Sequence, residues 1–438
     1  MLRQVPATGV NGGENRPPRK NVFGVVDLGS TRFTCMIAES NARNGASSGE
    51  DSVRILGHGQ TLAKGVRAGA ITNIMEAEQA IRLAVDSAER MAERRIHDVH
   101  VNVSGGRAKS EFCTGRIATQ TGIVSPRDIE NAISAAVSSL KVGRRHVLHL
   151  MPATFALDDV PNDNAPLGLH GSELSVDMAV ATVDPAVLNN IRLAVERAHL
   201  GVAGFTLSPY AAARGALTAD EKKLGALVVD LGGHVTSYAM FRSGKMLFAG
   251  ALPVGGSHVT QDIAQGLSTT LAHAERMKTL FGSVVPLGHE DREFLAVPLA
   301  GEKGTDSVQQ VPKHVLTSIV RPRLEETLYM VRAAVEPHGR FLNATTKLVL
   351  TGGGSLVHGN EVLASEIFGL NARVGSPRVA AGLPDHLKNA GSCVAAGLAA
   401  SAAYPDRQYG MPREARAAIE RESLSYVRRV GRWLAESL

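Results

Sequence analysis

Val25-Val26-Asp27-Leu28-Gly29 and, roughly two hundred residues later, Val228-Val229-Asp230-Leu231-Gly232 are the same pentapeptide. Each is an apolar run ending in a carboxylate and a glycine. Small polar residues follow: Ser30-Thr31 after the first copy, Gly233 after the second. A short, continuous apolar run predicts a buried strand, and the glycine predicts a sharp turn behind it. A strand that delivers an Asp to a turn, used twice, predicts two related halves facing one ligand. Five matched residues are a short repeat in a chain rich in Val, Leu and Gly, so the surroundings of each copy decide the reading.

At 438 residues the chain has room for two to four domains, and a hydrophobic content of 44% supplies sizeable cores. A charged fraction of 20% argues against a disordered chain. The formal charge of +5 is small for this length and is not gathered into a basic face with interleaved aromatics, so no nucleic-acid partner is expected. Cys35, Cys113 and Cys393 lie far apart in no metal-ligand spacing and read as reduced cysteines of a cytoplasmic protein. Residues 1–20 mix Pro, Gly, Asn and Arg without an apolar segment. They read as a disordered lead-in, not a signal peptide, and no later stretch approaches the ~18 apolar residues that span a bilayer.

Along the chain, a strand from Val22 to Leu28 leads through the Gly29-Ser30-Thr31 turn into a second strand ending near Ala38, and another follows at Val53–Gly57. A helix is expected after Asn73, with Ile74, Ala77, Ile81, Val85, Ala88 and Met91 at helical spacing and Glu76 completing a capping pattern. Strands at His97–Ser104 and Gly115–Ile123, a helix starting at Ser125-Pro126-Arg127-Asp128 and a strand at His146–Leu157 read as a small inserted α+β module, residues 96–174. The second pentapeptide opens a second cycle. It ends with a strand at Lys347–Leu350, the cluster Thr351-Gly352-Gly353-Gly354-Ser355 and a further helix.

Turns of this kind set successive N–H groups around phosphate oxygens, and glycine lets backbone approach without a Cβ. An Asp at the strand end is placed to hold a hydrated divalent cation. One such turn reads equally as a plain hairpin. Two of them, with a later T-G-G-G-S behind an apolar strand, form a far rarer combination. On these motifs the chain resembles the actin-like ATPase superfamily and, within it, the FtsA family of bacterial cell division proteins. Further family-like segments are VHVNVSGG, HVLHLMPATFALDD, LAVERAHLGVAGF, LPVGGSHVTQDIA, AERMK and KLVLTGGGS, so the similarity runs from Val22 to Leu438.

The resemblance implies an α/β actin-like ATPase fold of two related halves, with a small α+β module of the SHS2 type in the first half and a C-terminal amphipathic helix. The expected organisation is a disordered N-terminus (1–20), a first half in two parts (21–95 and 175–208) around the module (96–174), and a second-half core (209–257 and 315–384) around a small subdomain (258–314). A return helix to the first half (385–404), a linker (405–422) and the amphipathic helix (423–438) complete it. The resemblance further implies ATP and Mg2+ as ligands. Gly29, Ser30, Thr31 and Arg32 would lie at the terminal phosphates, with Gly232 and Gly233 as the opposing loop. Asp27 and Asp230 would hold the metal through water. Glu275 and Lys278 would serve the ribose and adenine side, and Gly352, Gly353 and Gly354 would face the base. On spacing alone, Glu275 and Lys278 read equally as a solvated i,i+3 pair.

The second loop departs from the family pattern D-x-G-G-G-T: His234 stands at the third glycine and Val235 at the threonine, while Thr236 follows one place late and Ser237 takes an often acidic position. His adds bulk and Val removes a hydroxyl, so the expectation is a nucleotide-controlled scaffold with at most weak ATPase activity. The other reading of His234 is a loop side chain in solvent.

Ser423–Leu438 place Leu424, Val427, Val430, Leu434 and Leu438 on one stripe, with Arg428, Arg429 and Arg432 opposite and Tyr426 and Trp433 at the borders. That pattern suits either a helix docked on the protein's own body or an interfacial membrane helix. Its terminal position and the resemblance favour anionic inner-membrane lipid. The resemblance also implies self-assembly into filaments, late division membrane proteins as partners, and the FtsZ C-terminal tail bound near Lys313, Arg321 and Arg323. The location would be peripheral, on the cytoplasmic face of the inner membrane at the division site. Two alternatives within the superfamily are a pilus-assembly type of protein, which would lack the terminal helix, and a sugar kinase or phosphatase, for which no further catalytic carboxylate is found.

Overall fold

A computed structural model describes residues 20–41, 53–105, 107–285, 293–300, 308–343, 345–378 and 381–404. The N-terminal lead-in, the linker and the amphipathic helix expected from sequence lie outside these residues. The chain divides into two compact units, Lys109–Pro185 and the remainder of the described chain.

The larger unit begins with β1 (Lys20–Leu28), β2 (Arg32–Asn41) and β3 (Val53–Leu62), an antiparallel meander. A two-strand ribbon, β4 (Val66–Arg67) and β5 (Ala70–Ile71), leads to α1 (Ile74–Ala92) and β6 (Asp98–Val103). Helix α1 starts where the sequence placed it. The Asn73 side chain accepts the N–H groups of Met75 and Glu76 at 3.1 and 3.3 Å, satisfying two donors that have no partner within the helix. Ala77, Ala80, Ile81, Ala84, Val85 and Ala88 form its buried face. Met91, expected on that stripe, is exposed, because Ala92 and not Met91 is the last-turn residue that faces β3, where a Cβ on Gly57 would stand 2.6 Å from the Ala92 amide.

The smaller unit contains β7 (Lys109–Ala118), α2 (Pro126–Ser138), β8 (His146–Leu157), β9 (Val160–Asn162) and β10 (Glu173–Val183), its sheet ordered β7-β10-β8-β9. The start of α2 is the predicted one: Ser125 and Asp128 cap each other's backbone reciprocally and Pro126 opens the first turn. Ala132, Ile133, Ala136 and Val137 pack on Leu150, Phe155, Leu174, Val176 and Met178 of the sheet, giving the unit its own core.

The chain returns to the larger unit through α3 (Pro185–Arg197), β11 (Gly201–Leu207), α4 (Ser208–Ala216) and α5 (Ala219–Leu224). The second cycle is β12 (Ala226–Leu231), β13 (Thr236–Arg242), β14 (Lys245–Leu252), α6 (Gly256–Gly266), α7 (Leu271–Phe281), the ribbon β15 (Phe294–Pro298) and β16 (Val308–Pro312), and α8 (Lys313–Val335). It closes with β17 (Lys347–Thr351), α9 (Asn360–Phe368), β18 (Asn371–Val374) and α10 (Cys393–Ala403).

The two main sheets have the same topology. The first is ordered β11-β6-β1-β2-β3 and the second β18-β17-β12-β13-β14, with antiparallel pairing on one side of the central strand and parallel pairing on the other. The repeated pentapeptide therefore occupies the same central strand, β1 and β12, in each half. The registers match too: Asp27 pairs with Thr34 and Leu28 with Phe33, as Asp230 pairs with Ser237 and Leu231 with Thr236.

Two sequence expectations shift here. Strand β6, which the alternation of His97–Ser104 placed in the module, pairs in parallel with β1 and β11 in the first sheet. Its run of buried Val99, Val101, Asn102 and Val103 is what two parallel neighbours require. Conversely, β10 overlaps the stretch assigned to the first half, yet it pairs on both sides within the module. Both ends of the module thus lie about ten residues further along the chain.

Candidate functional site

Each central strand ends in its Asp, and the turn behind it has the same shape in both halves. A Cβ on Gly29 would come 2.6 Å from the Arg32 carbonyl oxygen, and one on Gly232 would come 2.7 Å from that of Val235. The two turns are equal in length, so Thr31 and His234 occupy equivalent tips. The tips meet: a Cβ on Gly233 would lie 2.4 Å from the Thr31 methyl.

Between the turns lies a cleft of about 820 Å³, within the usual range for a small-molecule site. Every residue that the sequence assigned to nucleotide or metal lines it: Asp27, Gly29, Ser30, Thr31, Arg32, Asp230, Gly232, Gly233, Glu275, Lys278, Gly352, Gly353 and Gly354. His234, Val235 and Ser237 line it as well, so the His234 side chain faces the cleft instead of open solvent. Thr236 does not compensate for the missing threonine. Strand alternation turns it to the core side of β13, where Phe33 stands in the first half, and its hydroxyl is fully buried without a partner.

The two carboxylates are the electrostatic centre. Asp27 accepts a hydrogen bond from Asn102 Nδ2 at 2.7 Å, while Asn102 Oδ1 accepts the Leu28 N–H at 2.6 Å. Asp230 accepts from the Thr351 hydroxyl at 3.1 Å and the Ser237 hydroxyl at 3.5 Å. Burial lifts both carboxyls above the usual carboxylate range, and the charge of Asp230 lifts Asp27 further, against the opposing hydrogen bonds. Neither has a cationic partner among the described residues. Two buried oxygen ligands that repel one another suit a hard, hydrated divalent cation.

At the far end, Gly352 adopts a left-handed φ of 80°, and a Cβ there would stand 2.5 Å from the Leu231 carbonyl oxygen. Glycine is required for the turn to lie against the second pentapeptide. Nothing lies within 4 Å of a Cβ built on Gly353, leaving backbone open to the cleft. Lys278 is pinned, donating to the Gly256 carbonyl at 3.0 Å, the Thr260 hydroxyl at 2.9 Å and Glu275 at 2.7 Å. Its side chain is 12% exposed and that of Glu275 51%, so the pair is not a freely solvated one. Glu275 is left to present an acceptor to the cleft.

Sequence reasoning missed Asn102, Ser104, Gly256, Thr260 and Asn389, which also line the cleft. Asn102 matters most, because it clamps Asp27 and the Leu28 amide and also donates to Ser104 and Ser208 at 3.1 and 3.0 Å. Asn102→Ala leaves buried donors and acceptors unpaired at about 1–3 kcal/mol each. We expect a net loss of about 2–4 kcal/mol, read as a lower midpoint in thermal or denaturant unfolding.

The partner residues stand elsewhere and are already engaged. Lys313 pairs with Glu293 at 2.9 Å, Arg321 with Glu325 at 2.7 Å and Glu366 at 3.5 Å, and Arg323 with Asp262 at 2.5 Å. Arg321, Pro322 and Arg323 lie inside α8. Each of these cations thus has an acidic partner within the chain.

Two halves of identical strand order, each sending an Asp-Gly turn into one cleft, make this an actin-like ATPase fold. A chain of the solved "PilM-PilN type IV pilus biogenesis complex" shares the fold, with a TM-score of 0.60 at 18% identity over 87% of this chain and 99% of that one. Within that class, the chain belongs to the FtsA family of cell division proteins. A profile described as "Cell division protein FtsA" matches residues 227–397, and "SHS2 domain inserted in FTSA" matches residues 105–182. The chain is 38% identical to "Cell division protein FtsA" of Rhizobium meliloti over 87% of each protein, and 35% identical to that of Agrobacterium fabrum over 96% of this chain and 95% of the relative. Among the described residues no helix is long and apolar enough to cross a membrane.

Proposed function

We propose that the chain binds ATP with Mg2+ between its two halves, assembles into actin-like filaments on the cytoplasmic face of the inner membrane, and tethers the FtsZ ring there while later division proteins are recruited. The observation that carries the nucleotide part is the convergence of two equivalent Asp-Gly turns and the Gly352–Gly354 turn on one cleft. Ser30, Thr31 and the amides of both turns would orient the phosphates. Glu275 would accept from ribose hydroxyls, and the bare backbone at Gly353 would take the base. Asp27 and Asp230 would hold the metal through its waters, and bound Mg2+ would offset the phosphate charge. Among the described residues the cleft has no carboxylate beyond these three to activate a water, and His234 adds bulk to the second turn, so hydrolysis is read as weak and the nucleotide as a control on assembly.

Family membership supports the division role, and the amphipathic pattern of Ser423–Leu438 supports the membrane role. The FtsZ contact is not argued from Lys313, Arg321 and Arg323, whose charges are compensated within the chain. The test is co-sedimentation of FtsZ with anionic vesicles in the presence of this chain, with and without ATP. FtsZ is expected in the pellet only when the chain is present, and more of it with ATP. FtsZ left in the supernatant under both conditions would overturn the tether.

A further inference from the structure

The first sheet carries a second cavity at the end away from the cleft. Strands β1 and β6 run in parallel, and their C-terminal ends bring Asp27 and Asn102 to the cleft. Their N-terminal ends, with β11 alongside, border a cavity of about 380 Å³. Its basic wall is the turn from α1 into β6, which supplies Arg94, Arg95 and His97, joined by His100 of β6. Its apolar wall is Val22, Phe23 and Ile96.

Local packing gives the cavity its form. Glu89 accepts the Ile96 N–H at 2.8 Å and ties the turn to the end of α1. Ala203, also in the wall, is the extra residue where β11 slips register against β6 between Val202 and Gly204. The His100 ring lies over Gly204, where a Cβ would come 3.2 Å from Nδ1. Among the described residues Arg94 and Arg95 have no ion-pair partner, unlike the cations of α8. Asp98, the one acid among the described residues of the wall, has its Oδ1 turned against Gly201, where a Cβ would stand 2.0 Å away. Arginines beyond a helix C-terminus complement its dipole, which accounts for their sign. It does not account for two guanidiniums and two imidazoles lining one cavity beside an apolar wall.

Guanidiniums offer forked donors suited to oxyanions, and imidazoles add ring N–H groups. A phosphate monoester brings three terminal oxygens to these four groups, where a carboxylate brings two. Its second ionisation, at a pKa of about 6, lies next to that of imidazole, so the phosphate and a histidine ring can share a proton. We propose that this cavity binds a phosphate monoester, gripped by Arg94 and Arg95 with His97 and His100 donating, its organic part lying on Val22 and Phe23. Two sources carry that group: a soluble phosphorylated metabolite and the headgroup of an anionic lipid such as phosphatidic acid. The site is independent of the nucleotide reading, since it lies at the other end of the strands that reach the cleft.

The test is calorimetric titration of the full chain with phenyl phosphate and with benzoate, its carboxylate counterpart. Wild type, the double variant Arg94→Gln with Arg95→Gln, and Asp98→Asn are compared; all three side chains are exposed. Phenyl phosphate is expected to bind wild type at least about tenfold more tightly than benzoate, and the double variant to lose about tenfold or more. Asp98→Asn removes the opposing charge and should tighten binding by about two- to fivefold, a gain that no loss of folding can mimic. A wild-type chain that does not bind phenyl phosphate overturns the site, and benzoate bound as tightly overturns its phosphate class. Phenyl phosphate bound equally by the double variant would place it in the cleft and overturn the assignment. No gain in Asp98→Asn would overturn the charge argument. The source is read by co-sedimentation with phosphatidylcholine vesicles, with and without phosphatidic acid. Pelleting on phosphatidic acid that falls in the double variant identifies the lipid headgroup. Equal pelleting of the two forms, with calorimetric binding lost in the variant, identifies the soluble monoester.

Discussion

A chain ending before Ser423 is expected to stay in the supernatant when anionic vesicles are pelleted, while the full chain goes down with them. The removed segment carries the stripe Leu424, Val427, Val430, Leu434 and Leu438, the three arginines Arg428, Arg429 and Arg432, and Trp433 at the border. Arginines near an anionic leaflet contribute about 1 kcal/mol each, so the charges supply roughly 3 kcal/mol and the apolar stripe adds its burial in the interface. One helix so built binds weakly and reversibly. Assembly multiplies it, since linked helices engage at high effective concentration and avidity rises by orders of magnitude without new contacts. The expected loss on truncation is at least tenfold in bound fraction, and binding by the full chain should fall as salt rises. Neutral vesicles should bind both forms poorly. A truncated chain that still pellets with anionic vesicles would sink the membrane role of this segment.

Gly397→Ala is expected to destabilise the larger unit strongly, although a single methyl is added to a helix. Helices α4 and α10 cross backbone to backbone. A Cβ on Gly397 would stand 1.7 Å from the Ala211 carbonyl oxygen and 2.8 Å from the Gly215 amide, and one on Gly215 would stand 2.2 Å from the Cys393 carbonyl oxygen. Helix propensity favours Ala over Gly by about 1 kcal/mol, but the obstacle is main chain, which cannot rotate aside. The helices must separate, and α10 packs on β1 and β2 while α4 packs on β12 and β13, so both sheets are disturbed. Overpacking typically costs about 1–3 kcal/mol and more where nothing yields. We expect a net loss of about 3 kcal/mol, seen as a midpoint lowered by several degrees in thermal unfolding. Gly339→Ala, where an added Cβ meets nothing within 4 Å, is the matched control and should be near neutral. Equal midpoints for the two variants would show that the crossing is not tight.

Much of the candidate site was legible because its parts are local. A strand, an Asp and a glycine turn are contiguous, and so is Thr351–Ser355, so motif reading reached each residue without knowing its neighbours. Asn102 was not legible. It lies on a strand whose pattern resembles any other, and only the parallel pairing of β1 with β6 sets it against Asp27. The boundary of the module failed because alternation announces a strand without naming its partner. The ion pairs of Arg321 and Arg323 were not legible because charge is visible in a sequence while its compensation is not; Glu366 and Asp262 pair with these two residues from some forty to sixty positions away.

By itself the sequence determined the two related halves, the two carboxylates, the glycine turns and the caps of α1 and α2, products of short-range rules about which residues start, stop and turn a chain, while the actin-like plan came from the family resemblance those motifs carry. The tertiary structure decided that both turns keep one shape despite His234, that Thr236 faces the core, that Asn102 holds Asp27, and that the basic residues of α8 are already paired. Those outcomes depend on which strand lies beside which and how closely backbones approach. These are properties of packing between distant segments, and no local pattern encodes them.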